Sequence, residues 1–165
     1  MSSSIDDLDA RLIEALRAEP RVGLLEISRR VGVARGTVQA RLAKLEQRGV
    51  VTGYGPEIDP EAMGYPVGAF MLLDLSQGRL AEAVAALEAI PEVLEADAIS
   101  GPHDVIARVV ATDTEHLQEI VNRALASPAI ERSTSFIVLS RQVPPRVSPL
   151  IEAAGTGRRA GAANS

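Results

Sequence analysis

The apolar residues change their spacing once along the chain, near residue 55, and that change constrains the fold more than any other feature. Before it, Ile5, Leu8, Leu12, Ile13 and Leu16 recur at helical spacing, with Asp6 or Asp7 as the N-cap and Pro20 as the stop. Leu24, Leu25, Ile27, Ser28 and Val31 predict a short second helix ending at Gly32, a residue suited to a left-handed C-terminal position. Only Val33 and Ala34 separate it from a third helix, which begins near Arg35, carries the stripe Val38, Leu42 and Leu45, and closes at Gly49. A short helix, a glycine turn and a longer helix are the parts of a helix-turn-helix. Residues 50–54 then read as a short strand, the start of a wing or of a link to the second half.

Residues 55–66 contain Gly, Pro and an Asp59-Pro60 step and read as a linker. Beyond it, residues 67–75 predict a strand, 80–90 an Ala-rich helix stopped by Pro91, and 93–99 a second strand. Ser100-Gly101-Pro102-His103 is a turn, 104–111 a strand, Asp113 the cap of a helix through Leu125, and 130–141 the last strand. This β-α-β-β-α-β order is the ferredoxin-like arrangement, four strands with two helices on one face, which makes the chain α+β. The other face of such a sheet is uncovered, and in a monomer its strands should alternate between apolar and polar residues. Phe70-Met71-Leu72-Leu73, Val105-Ile106-Ala107 and Phe136-Ile137-Val138-Leu139 are apolar on both faces, which predicts an obligate homodimer packed sheet to sheet. The tail from Pro144, with Pro144-Pro145, Gly155, Gly157, Arg158-Arg159 and Gly161, reads as disordered beyond about Ile151. The expected division is therefore 1–54, a linker at 55–66, 67–143, and a tail at 144–165.

A chain of 165 residues is one domain long, or two small ones. It has no cysteine, so there is no disulfide frame and no thiolate nucleophile, which fits a reducing cytoplasm. The longest apolar stretch, residues 68–73, is too short to span a bilayer, so no membrane partner is expected. The first residues carry no basic stretch ahead of an apolar run, so no secretory leader is expected. Four aromatics, Tyr54, Tyr65, Phe70 and Phe136, cannot build a base-stacking platform for single strands or RNA. The net charge of −5 divides unevenly: residues 1–55 hold nine Lys/Arg against seven Asp/Glu, and residues 56–165 hold eight against fifteen. The halves therefore suit different partners.

On the third helix the apolar stripe leaves Arg35, Gly36, Gln39, Ala40, Ala43, Lys44 and Gln47 facing away from the core. Residues 35–48 carry Arg35, Arg41, Lys44 and Arg48 against Glu46. Gly36 and Ala40 are small enough for backbone to approach a groove floor, so the helix reads as the recognition element for double-stranded DNA. Arg35, Gln39 and Ala40 are expected nearest the bases and Arg41 and Lys44 nearer phosphates, with Gly36 and Thr37 completing the DNA-binding set. A solvated helix in an ordinary three-helix bundle is the alternative.

No enzyme is visible. His103 and Asp104 are adjacent, and adjacent strand residues point to opposite faces, so they do not make a base and its orienting carboxylate. His116 follows a helix cap and is expected to be solvated. Ser133-Thr134-Ser135 has no nearby base, and Gly53-Tyr54-Gly55 lacks the glycine and helix of a phosphate loop. No catalytic group, metal or cofactor is expected.

Further motifs carry a resemblance. They are Ile5-Asp6-x-x-Asp9-x-x-Leu12-Ile13, Arg21, Val31-Gly32-Val33, Thr37-Val38-x-x-Arg41-Leu42-x-x-Leu45-Glu46, Gly49-Val50-Val51-x-Gly53-Tyr54, Asp59-Pro60, Gly64-Tyr65 and Gly101-x-x-Asp104. In this order and spacing the chain resembles, over residues 5–143, the leucine-responsive regulatory protein/AsnC family of bacterial and archaeal transcription regulators. The resemblance implies a DNA-binding domain joined to a ligand-sensing RAM domain, related in fold to ACT domains. It also implies dimers formed through the sheets, octamers of those dimers, and an amino acid bound between dimers near the Gly-x-x-Asp turn. Gly23 and Ala34 stand where the family often caps a helix with Ser or Thr, and His103 stands where an aromatic commonly precedes the aspartate.

The expected effector set is Ser100, Gly101, His103, Asp104, Ser133 and Ser135. Amides around Gly101 and the hydroxyls of Ser133 and Ser135 suit a ligand carboxylate, Asp104 suits its ammonium, and His103 shapes a side-chain pocket. The plain alternative is that Gly101 makes the hairpin turn and Asp104 caps it. The function expected is a DNA-binding regulator tuned by an amino acid or related metabolite. The runner-up is a metabolite-binding regulatory subunit whose first domain contacts a protein.

Overall fold

The computed structural model describes residues 5–162. Residues 1–4, which bear on the leader, and residues 163–165 of the tail lie outside the described residues. In chain order the elements are α1 (Asp7–Ala18), α2 (Leu24–Val31), α3 (Arg35–Gln47), β1 (Val67–Leu75), α4 (Leu80–Glu88), β2 (Val93–Ala98), β3 (Val105–Ala111), α5 (Thr114–Leu125), β4 (Ile130–Ile137) and α6 (Ser148–Ala162). They form two compact units. One comprises the residues up to Glu57 together with those from Val143, and the other is Ile58–Gln142.

In the first unit Asp6 is the N-cap of α1 and makes a reciprocal box with Asp9. The Asp9 amide donates to Asp6 Oδ1 at 2.9 Å, and the Asp6 amide donates to Asp9 Oδ2 at 3.2 Å. Gly32 ends α2 with φ +71°, the left-handed conformation a helix stop requires. Neither Gly23 nor Ala34 supplies a side-chain cap to α2 or α3. Leu12, Ile27, Val38 and Leu45 are at most 1% exposed and form the centre of the core.

The structure corrects two expectations in this unit. Residues 50–54 form no strand. The Val50 and Val51 amides both turn back to the Leu45 carbonyl, at 2.9 and 3.3 Å, so they close α3 instead of entering a ladder. The tail from Ser148 is a helix, α6, and it packs on α1. Ile151, only 8% exposed, joins the core of the first unit, and the Ser148 hydroxyl donates to Glu14 at 3.2 Å. The glycine and arginine content suggested disorder, but one buried isoleucine and a helix start at Ser148-Pro149 outweigh it.

In the second unit the sheet order is β2-β3-β1-β4, antiparallel throughout. Met71 and Leu73 of β1 pair with Ala107 and Val105 of β3, and all four lie under α4 and α5 with Leu87 and Ile120. Burying Met71 or Leu73 contributes about 1.5–3 kcal/mol each. Phe70, Leu72 and Ile106 point to the opposite face, where Phe136 pairs with Phe70 and stays 54% exposed. β4 ends at Ile137 rather than at 141, close to where β1 begins: the Val138 amide still donates to the Gly68 carbonyl at 2.8 Å, and only Val67 of β1 lies beyond. Asp113 caps α5 as expected, accepting from the His116 amide at 2.8 Å.

Candidate functional site

Two places carry the chemistry, one in each unit. On α3 the stripe Val38, Leu42 and Leu45 is buried, which turns Arg35, Gly36, Thr37, Gln39, Ala40 and Lys44 outward, all exposed. Among the described residues, the side chains of Arg35, Gln39 and Lys44 have no hydrogen-bond or ion-pair partner. A Cβ at Gly36 would meet nothing within 4 Å, so the fold does not demand glycine there. The result is a polar, cationic row with small residues between its long side chains.

Arg41 departs from that row. Its Nη1 donates to Asp6 Oδ2 and, at 3.0 Å, to Asp9 Oδ1. The Asp9 side chain is only 6% exposed, and a carboxylate so placed requires a cation. The expectation that Arg41 contacts phosphate is therefore corrected: its guanidinium clamps α3 to the first turn of α1. Burial pushes the Asp6 carboxyl up, but the Asp9 amide and Arg41 outweigh it and hold it below the usual carboxylate value. The pair raises the already high pKa of Arg41 further. Behind α3, the Tyr54 hydroxyl donates to Glu46 Oε1 at 2.6 Å, and burial together with Glu46 pushes the phenol up to about 12.

In the second unit the Gly101 turn adopts φ +141°, a conformation that favours glycine. Asp104 is fixed from three sides: its amide donates to the Leu73 carbonyl at 3.0 Å, its carbonyl accepts from Ile99 at 2.9 Å, and its Oδ2 accepts from the Leu75 amide at 2.7 Å. The carboxylate therefore ties the turn to the end of β1 instead of bonding an amide of the turn itself, and it remains exposed. Ser100 and Gly101 are exposed beside it.

His103 reaches Asp74 rather than Asp104, with Nδ1 2.6 Å from Asp74 Oδ1, and Arg132 Nε lies 2.8 Å from Asp74 Oδ2. The His103 hydrogen bond, against a smaller opposing effect of burial and aided by Arg132, holds the Asp74 carboxyl below its usual value. Sequence reading missed Asp74 and Arg132. The available signal was that Asp74 is the one charged residue in an apolar strand, and such a residue requires a partner.

Ser133 and Ser135 pair with Leu73 and Met71 and therefore point to the helix-covered face, whereas Asp74 lies on the other. The Ser133 hydroxyl is buried without a hydrogen-bond partner. One chain does not bring these hydroxyls together with His103. The expectation of a solvated His116 is also corrected. Its Nε2 lies 3.2 Å from Glu92 Oε1, its ring is tilted against Tyr65 at 6.3 Å, and Arg123 holds the second Glu92 oxygen at 2.7 Å.

Two family patterns match the chain: an AsnC-type helix-turn-helix domain over residues 5–46 and an Lrp/AsnC ligand binding domain over residues 68–147. The HTH-type transcriptional regulator FL11 of Pyrococcus furiosus is 30% identical over 139 residues, 84% of this chain and 92% of that protein. The structure of AsnC from Escherichia coli is similar with a TM-score of 0.82 at 30% identity, covering 89% of this chain and all of that one. A feast or famine regulatory protein from Mycobacterium tuberculosis, complexed with L-methionine, gives a TM-score of 0.76 at 32% identity, covering 86% and 96%.

Proposed function

The chain belongs to the Lrp/AsnC family of transcriptional regulators, and from that premise we propose that it reads duplex DNA through the outer row of α3 as a symmetric oligomer in the cytoplasm. The observation that carries this reading is the set of exposed, internally unpartnered side chains Arg35, Gln39 and Lys44 on one helix face. Arg35 and Gln39 have the donors and acceptors to read base edges, Gly36, Thr37 and Ala40 allow close approach, and Lys44 neutralises phosphate. Arg41 orients the helix from behind.

A second copy covers the open sheet face, burying Phe70, Leu72, Ile106 and Phe136, and such dimers assemble into an octamer. An amino acid or related metabolite binds at the Gly101–Asp104 turn. Asp104 meets its ammonium and the turn amides meet its carboxylate, while the exposed Ser135 serves a neighbouring copy's turn and the enclosed Ser133 hydroxyl lies behind it. Solved relatives include one bound to L-methionine, which supports this ligand class.

A gel shift with the DNA just upstream of its own gene tests the reader, and a footprint should show half-sites repeating at about one helical turn, roughly 10 base pairs. A thermal-shift screen over the twenty amino acids tests the sensor. The right one should raise both the melting temperature and the population of the larger oligomer. Asp104→Ala should abolish both responses while the dimer stays folded.

A further inference from the structure

The second of the two family patterns ends at residue 147, and α6 begins at Ser148. Its contact with α1 is specific. A Cβ at Gly155 would stand 2.7 Å from the Ala10 Cβ, 3.7 Å from the Asp7 Cα and 3.8 Å from the Asp6 carbonyl oxygen, so α6 approaches this closely only with glycine at that position. Those atoms belong to the first turn of α1, where Asp6 and Asp9 hold Arg41 of α3. The same turn is gripped on one side by α6 and on the other by the recognition helix. The Asp6 carbonyl that faces Gly155 also accepts the Ala10 amide at 2.9 Å, so a shift of this backbone moves the cap that orients Asp6.

We propose that Gly155 is a positioning residue for DNA recognition: by seating α6 against the first turn of α1, it fixes the Asp6–Asp9 clamp that sets the pose of Arg41 and therefore of α3. The proposal rests on the reading of α3 as the DNA-contacting helix.

Gly155→Ala in the full chain separates pose from stability, because alanine favours the helix while its methyl forces α6 and α1 apart. DNA affinity, measured by gel shift with the upstream DNA, should fall about 2- to 150-fold, the range of coupling between contacting residues. In the Arg41→Ala background the same change should cost nothing more, since the clamp is already gone. Ala10→Gly added to Gly155→Ala returns the missing space and should restore the affinity. Unchanged affinity in Gly155→Ala, equal losses in both backgrounds, or no rescue by Ala10→Gly each overturns the proposal. If the alanine unfolds the first unit, the cycle is run with Ile151→Val, which trims the α6 contact by one methyl, in the parent and in the Arg41→Ala background; unchanged affinity, or equal losses in both, overturns the coupling of α6 to the clamp. Failure of the unaltered protein to bind any DNA sinks the reading of α3 itself, a result distinct from binding that Gly155→Ala leaves untouched.

Discussion

At the outer face of α3 the long polar side chains point away from the protein and have no internal bonds, whereas at the end of the sheet Asp74, His103, Arg132 and Asp104 satisfy one another or a backbone amide. The difference sets how each place meets a ligand. Arg35, Gln39 and Lys44 give up only water and rotamer freedom when they bind, so recruiting each one leaves the fold unchanged. A ligand at the sheet end must share or exchange hydrogen bonds that already exist. Such exchange lowers affinity but rejects molecules that leave a buried partner unmade.

The sharpest way to break this comparison is to remove the free row altogether. The combined Arg35→Ala, Gln39→Ala and Lys44→Ala variant should melt as the parent does and lose specific DNA binding, at about 1–3 kcal/mol for each base contact. Lys44→Ala alone should weaken all sequences alike and flatten the salt dependence. Retained binding in the triple variant would assign recognition to another surface.

Arg41→Ala should behave in the opposite way, as a residue whose bonds are internal. Loss of the cation beside Asp9 should cost about 2 kcal/mol of unfolding free energy, discounted from the fully buried case because Arg41 is a third exposed. Denaturant unfolding of the full chain reads this, and an unchanged midpoint would place Arg41 back among the free groups.

A smaller gain should come from Ala34→Ser, which gives α3 the side-chain cap it lacks and should stabilise the first unit by about 1 kcal/mol. This measurement needs the full chain, since residues 1–55 alone omit α6. No gain would mean that the amides at the start of α3 are already satisfied.

The smallest effect lies in the acid limb. Asp6 in the first unit and Asp74, Glu92 and Asp113 in the second all have folded pKa values below their ordinary ones, 3.8 for Asp and 4.5 for Glu. Each contribution to stability is complete above the ordinary value and is lost as pH falls through the folded one. Acid should therefore loosen the sheet unit before the helical unit, as amide exchange from pH 5 to about 3 would show. Earlier exchange in α1–α3 would reverse the ranking.

Much of this was legible because it depends on short-range rules. The 3.6-residue stripe of α3 places its outward row, Gly32 marks its turn, and Asp113 announces its helix. The strand order follows from alternating segments and short connections. What was not legible depends on pairs distant in sequence. Arg41 and Asp9 are 32 residues apart, and His103 and Asp74 are 29 apart, so no local pattern joins them. Residues 50–54 have strand-like composition but meet no neighbouring strand, and composition cannot report that absence. The tail was misread because Gly155 counts against a helix in isolation and for one where another helix presses on it.

That the first unit closes only with α6 has a consequence for the order in which the protein is made. The three helices that read DNA leave the ribosome first, yet Ile151 and Gly155, which complete and seat them, follow after the whole of Ile58–Gln142. At a synthesis rate of about 5–20 residues per second, the reader waits on the order of ten seconds for its last helix. During that interval the nascent chain carries the recognition side chains without the buttress that poses them, and the sensor is finished before the reader.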